Sequence, residues 1–240
     1  MKYLYIAALF LFAAQNANAQ NYDELLELIV DEKYERCLYK AVKYTEDDKT
    51  KNDPLPYGYM SMAFFRIANM DDPTLKEKFP KADKDAVKYL IKFRKKDKDN
   101  AFLGEFQDFI SEIRVAAISE AEQQSDSEKY TKSKGLYKQL TDIDENDPGA
   151  WLMRGYNEWM MKAKKDALTS YDNAKKLLKE QGVANLRKEQ LDLLKMGVIR
   201  NAEMLNEIGE RASARELLEL AEEHFNNDKE FNVVYSTIIG

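Results

Sequence analysis

The chain has 240 residues, of which 44% are hydrophobic and 33% charged, and it carries a formal net charge of −6. That length allows one elongated array or two small domains, and the acidic total argues against general affinity for nucleic acid or anionic membrane. A single cysteine, Cys37, excludes an internal disulfide, and a single histidine, His224, excludes a His-rich metal site.

In chain order, Met1 to Ala19 reads as a secretory signal peptide. Lys2 supplies the positive end, Tyr3 to Ala14 a short apolar run, and Ala17-Asn18-Ala19 the cleavage site. The run falls well short of the roughly 20 residues a spanning helix needs. The mature chain is then expected to begin at Gln20, with no stable membrane insertion and a net charge of −7 once Lys2 is removed from the −6 total.

The five prolines, Pro54, Pro56, Pro73, Pro80 and Pro148, fall in polar connectors between long helical stretches, where a missing amide hydrogen costs nothing. Small residues recur at the start of alternate stretches: Cys37, Ala86, Ser133, Ala167 and Ala214. Asn52-Asp53-Pro54 precedes Tyr57 and Ser61 as Asn146-Asp147-Pro148 precedes Trp151 and Gly155, 94 residues later. Longer helices or inserted turns are expected at Met70 to Lys81, Ala101 to Arg114 and Glu180 to Leu194. Phe231 to Ile239 reads as a capping helix or a strand-like tail. No other run alternates over a strand's length, so the fold is expected to be all-α.

Between Asp147 and Leu178, the spacing of Trp151, Gly155, Ala167, Tyr171 and Ala174 resembles the 34-residue tetratricopeptide repeat. Glu158 stands where that family prefers tyrosine, and Lys179 where it prefers proline. The resemblance implies a right-handed superhelical array of antiparallel helix pairs, an α-solenoid of about five degenerate repeats filling residues 20–240. The best repeats are 147–180 and 196–227; 21–46, 53–98 and 101–145 are looser.

Helical register then places Leu152, Tyr156, Trp159 and Met160 on the concave side of one first helix, and Met62, Phe65 and Arg66 on that of another. A peptide or helix of a partner protein is expected there, though flanking helices or the tail could instead cover the strip as core. Gly58, Met62, Leu152 and Tyr156 do not match the Lys and Asn with which the family clamps terminal carboxylates. The chain carries no glycine-rich phosphate loop, Cys-x-x-Cys or Gly-x-Ser-x-Gly. A non-enzymatic interaction module or assembly scaffold of the cell envelope, without cofactor or metal, is therefore the leading reading. A self-associating structural protein is the alternative and a carboxylate-dependent hydrolase the third. The leader and composition resemble exported envelope proteins of the Bacteroidota, which implies the periplasm, with secretion as the alternative.

Overall fold

A computed structural model describes residues 21–240, so the expected leader at 1–19 lies outside the described residues. The regular secondary structure of the described residues is all helical, with no strand among them. The chain divides after Asp97 into two compact units.

The first unit holds α1 (Asp23–Val30), α2 (Tyr34–Glu46), α3 (Leu55–Asn69), α4 (Pro73–Lys78) and α5 (Ala82–Lys96). Helix α3 packs on both α2 and α5, and α1 lies against α2 and α3. Leu25, Cys37, Ala41, Ala63, Ile67, Leu90 and Phe93 are fully enclosed. The expected insertion at 70–81 is the short α4 with its flanking turns, started by Pro73 and capped by Asp72, whose carboxylate accepts from the amides of Thr74 and Leu75.

The second unit holds α6 (Leu103–Asp126), α7 (Tyr130–Ile143), α8 (Pro148–Met160), α9 (Lys164–Gln181), α10 (Lys188–Glu207), α11 (Arg211–Phe225) and α12 (Lys229–Ile239). Helix α8 is central, packed by α7, α9 and α10. The expected insertion at 101–114 is absorbed into the 24-residue α6. That at 180–194 is a loop after Gly182 followed by the start of α10. The tail is helical: Asp228 caps α12 through the Phe231 amide, and Phe231, Val234 and Ile238 bury one stripe.

The local turn chemistry recurs. Glu32, Glu128, Lys162 and Gly209 each have positive φ at the end of a first helix. In each, the next residue's amide reaches the carbonyl five positions back: Lys33 to Leu28, Lys129 to Gln124, Ala163 to Glu158 and Glu210 to Leu205, all at 2.8–2.9 Å. This is the Schellman closure, which satisfies orphan carbonyls while reversing the chain. Five residues beyond each positive-φ position stands the small residue of the second helix, Cys37, Ser133, Ala167 or Ala214, each buried. A compact turn forces the two helices close together, and only a small side chain fits where they first touch.

The two motifs 94 residues apart share their tertiary contacts as well. Trp151 donates its indole N–H to the Glu145 carbonyl at 2.9 Å and Tyr57 its hydroxyl to the Lys51 carbonyl at 2.8 Å, each six residues back. Four residues on, an ideal Cβ on Gly155 would lie 3.3 Å from the Ala167 carbonyl oxygen. At the matching place, Ser61 donates its hydroxyl to the Ala86 carbonyl at 2.7 Å.

Candidate functional site

Helix α8 starts where Asp147 accepts from the Ala150 amide at 3.0 Å and Pro148 takes the first position. Asp147 is enclosed, as is Arg114 of α6, whose guanidinium donates to the same carboxylate. Burial pushes the Asp147 carboxyl above its usual range, while Arg114 and the Ala150 amide pull the other way. A second buried carboxylate, Glu158, accepts from the Ser170 hydroxyl at 2.6 Å and from Arg154 Nε at 2.9 Å. Neither carboxylate reaches open space, so both act as ties between helices.

Against α10 the backbone of α8 comes very close. A Cβ on Gly149 would lie 2.6 Å from the Leu194 nitrogen, and one on Gly197 2.8 Å from the Leu152 Cβ. The Asn201 amide completes the crossing by donating to the Leu152 carbonyl at 3.0 Å and the Gly197 carbonyl at 2.7 Å.

This crossing splits the expected strip. Leu152 is fully enclosed beneath α10 and offers a partner no surface, which corrects its placement on an open face. Tyr156 is half-buried with the Arg200 guanidinium 5.8 Å from its ring centre, and burial raises its hydroxyl above the usual range. Trp159 is half-buried with Lys164 Nζ 5.5 Å from its ring, and Met160 is exposed. In the first unit Met62, Phe65 and Arg66 are half-buried on α3, with Arg66 stacked 5.7 Å from the Phe65 ring centre.

Trp159 opens onto a cleft of about 490 Å³ between the α8–α9 hairpin and the α10–α11 hairpin. Gly155 and Ala167 form its small-residue floor, Tyr171, Met204 and Leu205 its walls, and Leu168 and Ile208 its lip. The lip residues are 55% and 42% exposed. The Tyr171 hydroxyl donates to the Ser213 carbonyl at 3.0 Å, and burial raises it above its usual range. Lys164 and Glu210 mark the rim. The volume falls in the range of small-molecule and side-chain pockets, and the lining offers apolar contact rather than a paired acid and base.

Elsewhere, His224 is exposed on α11 and Cys37 is buried, with its thiol pushed up to about 12 by burial. Among the described residues no group of three or more His, Cys, Asp or Glu is placed to hold a metal ion. No described helix is long and apolar enough to cross a membrane. Comparison with protein families, curated proteins and solved structures returned no match.

Proposed function

We propose that the chain is an exported, tetratricopeptide-like helical-repeat protein of the cell envelope, that it binds rather than transforms, and that its binding place is the cleft between the α8–α9 and α10–α11 hairpins. The observation that carries this reading is the lip of the cleft, where Leu168, Ile208 and Trp159 hold apolar surface at the mouth of a space deep enough for a partner's side chains. A few well-packed anchors, Trp, Tyr and Arg foremost, supply most of the energy of an interface. The four closed turns and the paired small-residue contacts support the repeat reading, because they recur at matched positions despite unequal steps along the chain. An apolar side chain or short helix of another envelope protein is the fitting occupant. Trp159 lines the cleft, and Met160 lies on the same helix as an exposed flank.

The test is Leu168→Glu combined with Ile208→Glu, against Val115→Glu as a control at a similarly exposed position outside the cleft (54%). Capture of native envelope partners should be lost in the cleft variant and kept in the control, with unchanged helix content in both. Capture at wild-type level by the cleft variant would overturn the proposal.

A further inference from the structure

The α3–α5 face of the first unit carries a row of cations over aromatic rings. Lys88, Lys92 and Lys96 stand at i, i+4 and i+8 of α5, on one side of the helix. The Nζ of Lys88 is 4.9 Å from the Tyr89 ring centre, that of Lys92 5.0 Å from Tyr89 and 5.8 Å from Tyr57, and that of Lys96 4.9 Å from Tyr57. The ledge under them is fixed, since Tyr89 stacks on Phe64 at 5.5 Å and the Tyr57 hydroxyl holds the Lys51 carbonyl. Neutralisation is thin among the described residues: Lys88 has Asp85 at 3.2 Å, the Lys96 ammonium donates to the Asn52 amide oxygen at 3.3 Å, and Lys92 faces the Tyr57 and Tyr89 rings.

The second unit carries the opposite arrangement in a groove of about 170 Å³ between α10 and α12. Glu203 and Glu207, also at i and i+4, line one side, the buried Val234 and Ile238 line it more deeply, and Val233, 67% exposed, lies at its edge. Glu230 of α12 adds to the negative field there. Burial, then Glu207 and Glu230, raise the Glu203 carboxyl above its usual range, while Arg200 works against them. Lys195 is engaged by Asp228 at 2.7 Å and reaches Glu230 only at 4.0 Å.

We propose that the lysine–tyrosine face of α5 docks onto the acidic groove between α10 and α12 of a second copy of the chain. Two helical rows with the same i, i+4 spacing can align charge against charge, and a lysine stem can lie along Val233 while its ammonium reaches Glu203 or Glu207. The contact is heterologous, because the two surfaces belong to different parts of one chain. Each added copy therefore leaves one surface of each kind free, and assembly runs on until it closes. This surface is separate from the apolar cleft, and its test does not depend on that site.

Sedimentation velocity of the full chain at about 0.01 M and about 1 M salt reads the assembly, since the screening length falls from about 30 Å to about 3 Å over that range. Concentration-dependent oligomers are expected at low salt and monomer at high salt. A variant with Lys88→Glu and Lys92→Glu should be monomeric at both, as should one with Glu203→Lys and Glu207→Lys. An equimolar mixture of the two should associate again, because the intact lysine face of one meets the intact groove of the other and the two reversed surfaces are complementary as well. Combining all four reversals in one chain should restore oligomers, which separates lost docking from lost folding. A monomeric wild type at low salt, undiminished association of either variant, or capture of an unrelated acidic protein by the lysine face without self-association would overturn the proposal.

Discussion

Gly149→Ala adds one methyl group where α8 and α10 cross, and the structure sets the size of the penalty. The new Cβ would lie 2.6 Å from the Leu194 nitrogen and 2.9 Å from two neighbouring backbone carbons. Backbone atoms cannot rotate aside, so the helices must part by about 0.8 Å to restore the 3.4 Å of ordinary contact. Parting loosens the reciprocal contact of Gly197 with Leu152 and stretches the Asn201 hydrogen bond to the Leu152 carbonyl. Overpacking of this kind costs about 1–3 kcal/mol, against a helix-propensity gain of at most about 1 kcal/mol. Because the clash is with backbone, the upper half of that range, about 2–3 kcal/mol, applies, and the net loss of about 1–2 kcal/mol corresponds to a melting temperature lower by about 2–8 °C for a chain of this length. Gly135→Ala is the matched control, because nothing lies within 4 Å of its Cβ position in α7. There only the propensity gain of about 0.5–1 kcal/mol remains, and the melting temperature should rise. Thermal melts followed by far-ultraviolet circular dichroism decide the matter. A Gly149→Ala protein that melts at or above wild type would refute the close crossing.

Lys162→Gly should stabilise the α8–α9 turn by up to about 1 kcal/mol, since Lys162 holds φ 63° at the cost of a left-handed L-residue. Gly209→Ala at φ 86° should lose about 1 kcal/mol despite open space around it; denaturant midpoints check both. Cys37, with its thiol pushed up to about 12, should resist a thiol-specific reagent at mildly alkaline pH in the folded protein and react fully after unfolding. Rapid labelling of the native chain would refute its enclosure.

The helical hairpins were legible because their determinants are local. Prolines and Asn-Asp-Pro mark starts, and a small residue must stand where a tight turn brings two helices together. The crossing of α8 and α10 was not legible, because Gly149 and Gly197 are 48 residues apart and nothing near either names the other. For the same reason a helical wheel groups Leu152 with Tyr156 but does not say that α10 covers the first and leaves the second half-open. Arg114 and Asp147 look like surface charges in a chain that is 33% charged, and only their joint burial makes them a pair. Helical register brings Trp159 into the candidate strip but says nothing of Leu168 and Ile208, since single aliphatic residues on amphipathic helices usually face inward.

Three aspartates show how successive hairpins are tied and lead to a last prediction. Asp53 accepts from the Tyr22 hydroxyl at 2.5 Å, Asp147 from Arg114, and Asp228 from Lys195 at 2.7 Å, over separations of 31, 33 and 33 residues. Each stands at or just before the start of a helix, and its donor lies in or beside a first helix of the preceding hairpin, so the tie holds one hairpin's length even where insertions lengthen the chain elsewhere. Their energetic weight should follow burial. Asp147→Asn removes the charge facing a guanidinium that is 2% exposed, and stranding a buried cation costs about 3–5 kcal/mol. Asp228→Asn keeps an N-cap acceptor and loses only an ion pair whose side chains are 27% and 30% exposed, a change of about 0–1 kcal/mol. Lys195 and the Phe231 amide hold the Asp228 carboxyl below its usual range. Its contribution is therefore present above the ordinary carboxylate range and lost as the pH falls through the lowered value. Arg114→Met added to Asp147→Asn should recover part of the loss by removing the stranded charge, and adding Lys195→Met to Asp228→Asn should recover nothing measurable. Urea unfolding of the four proteins gives the ranking. Equal losses for Asp147→Asn and Asp228→Asn, or no recovery in the Arg114→Met double variant, would show that the Asp147 tie carries no more of the fold than a surface ion pair.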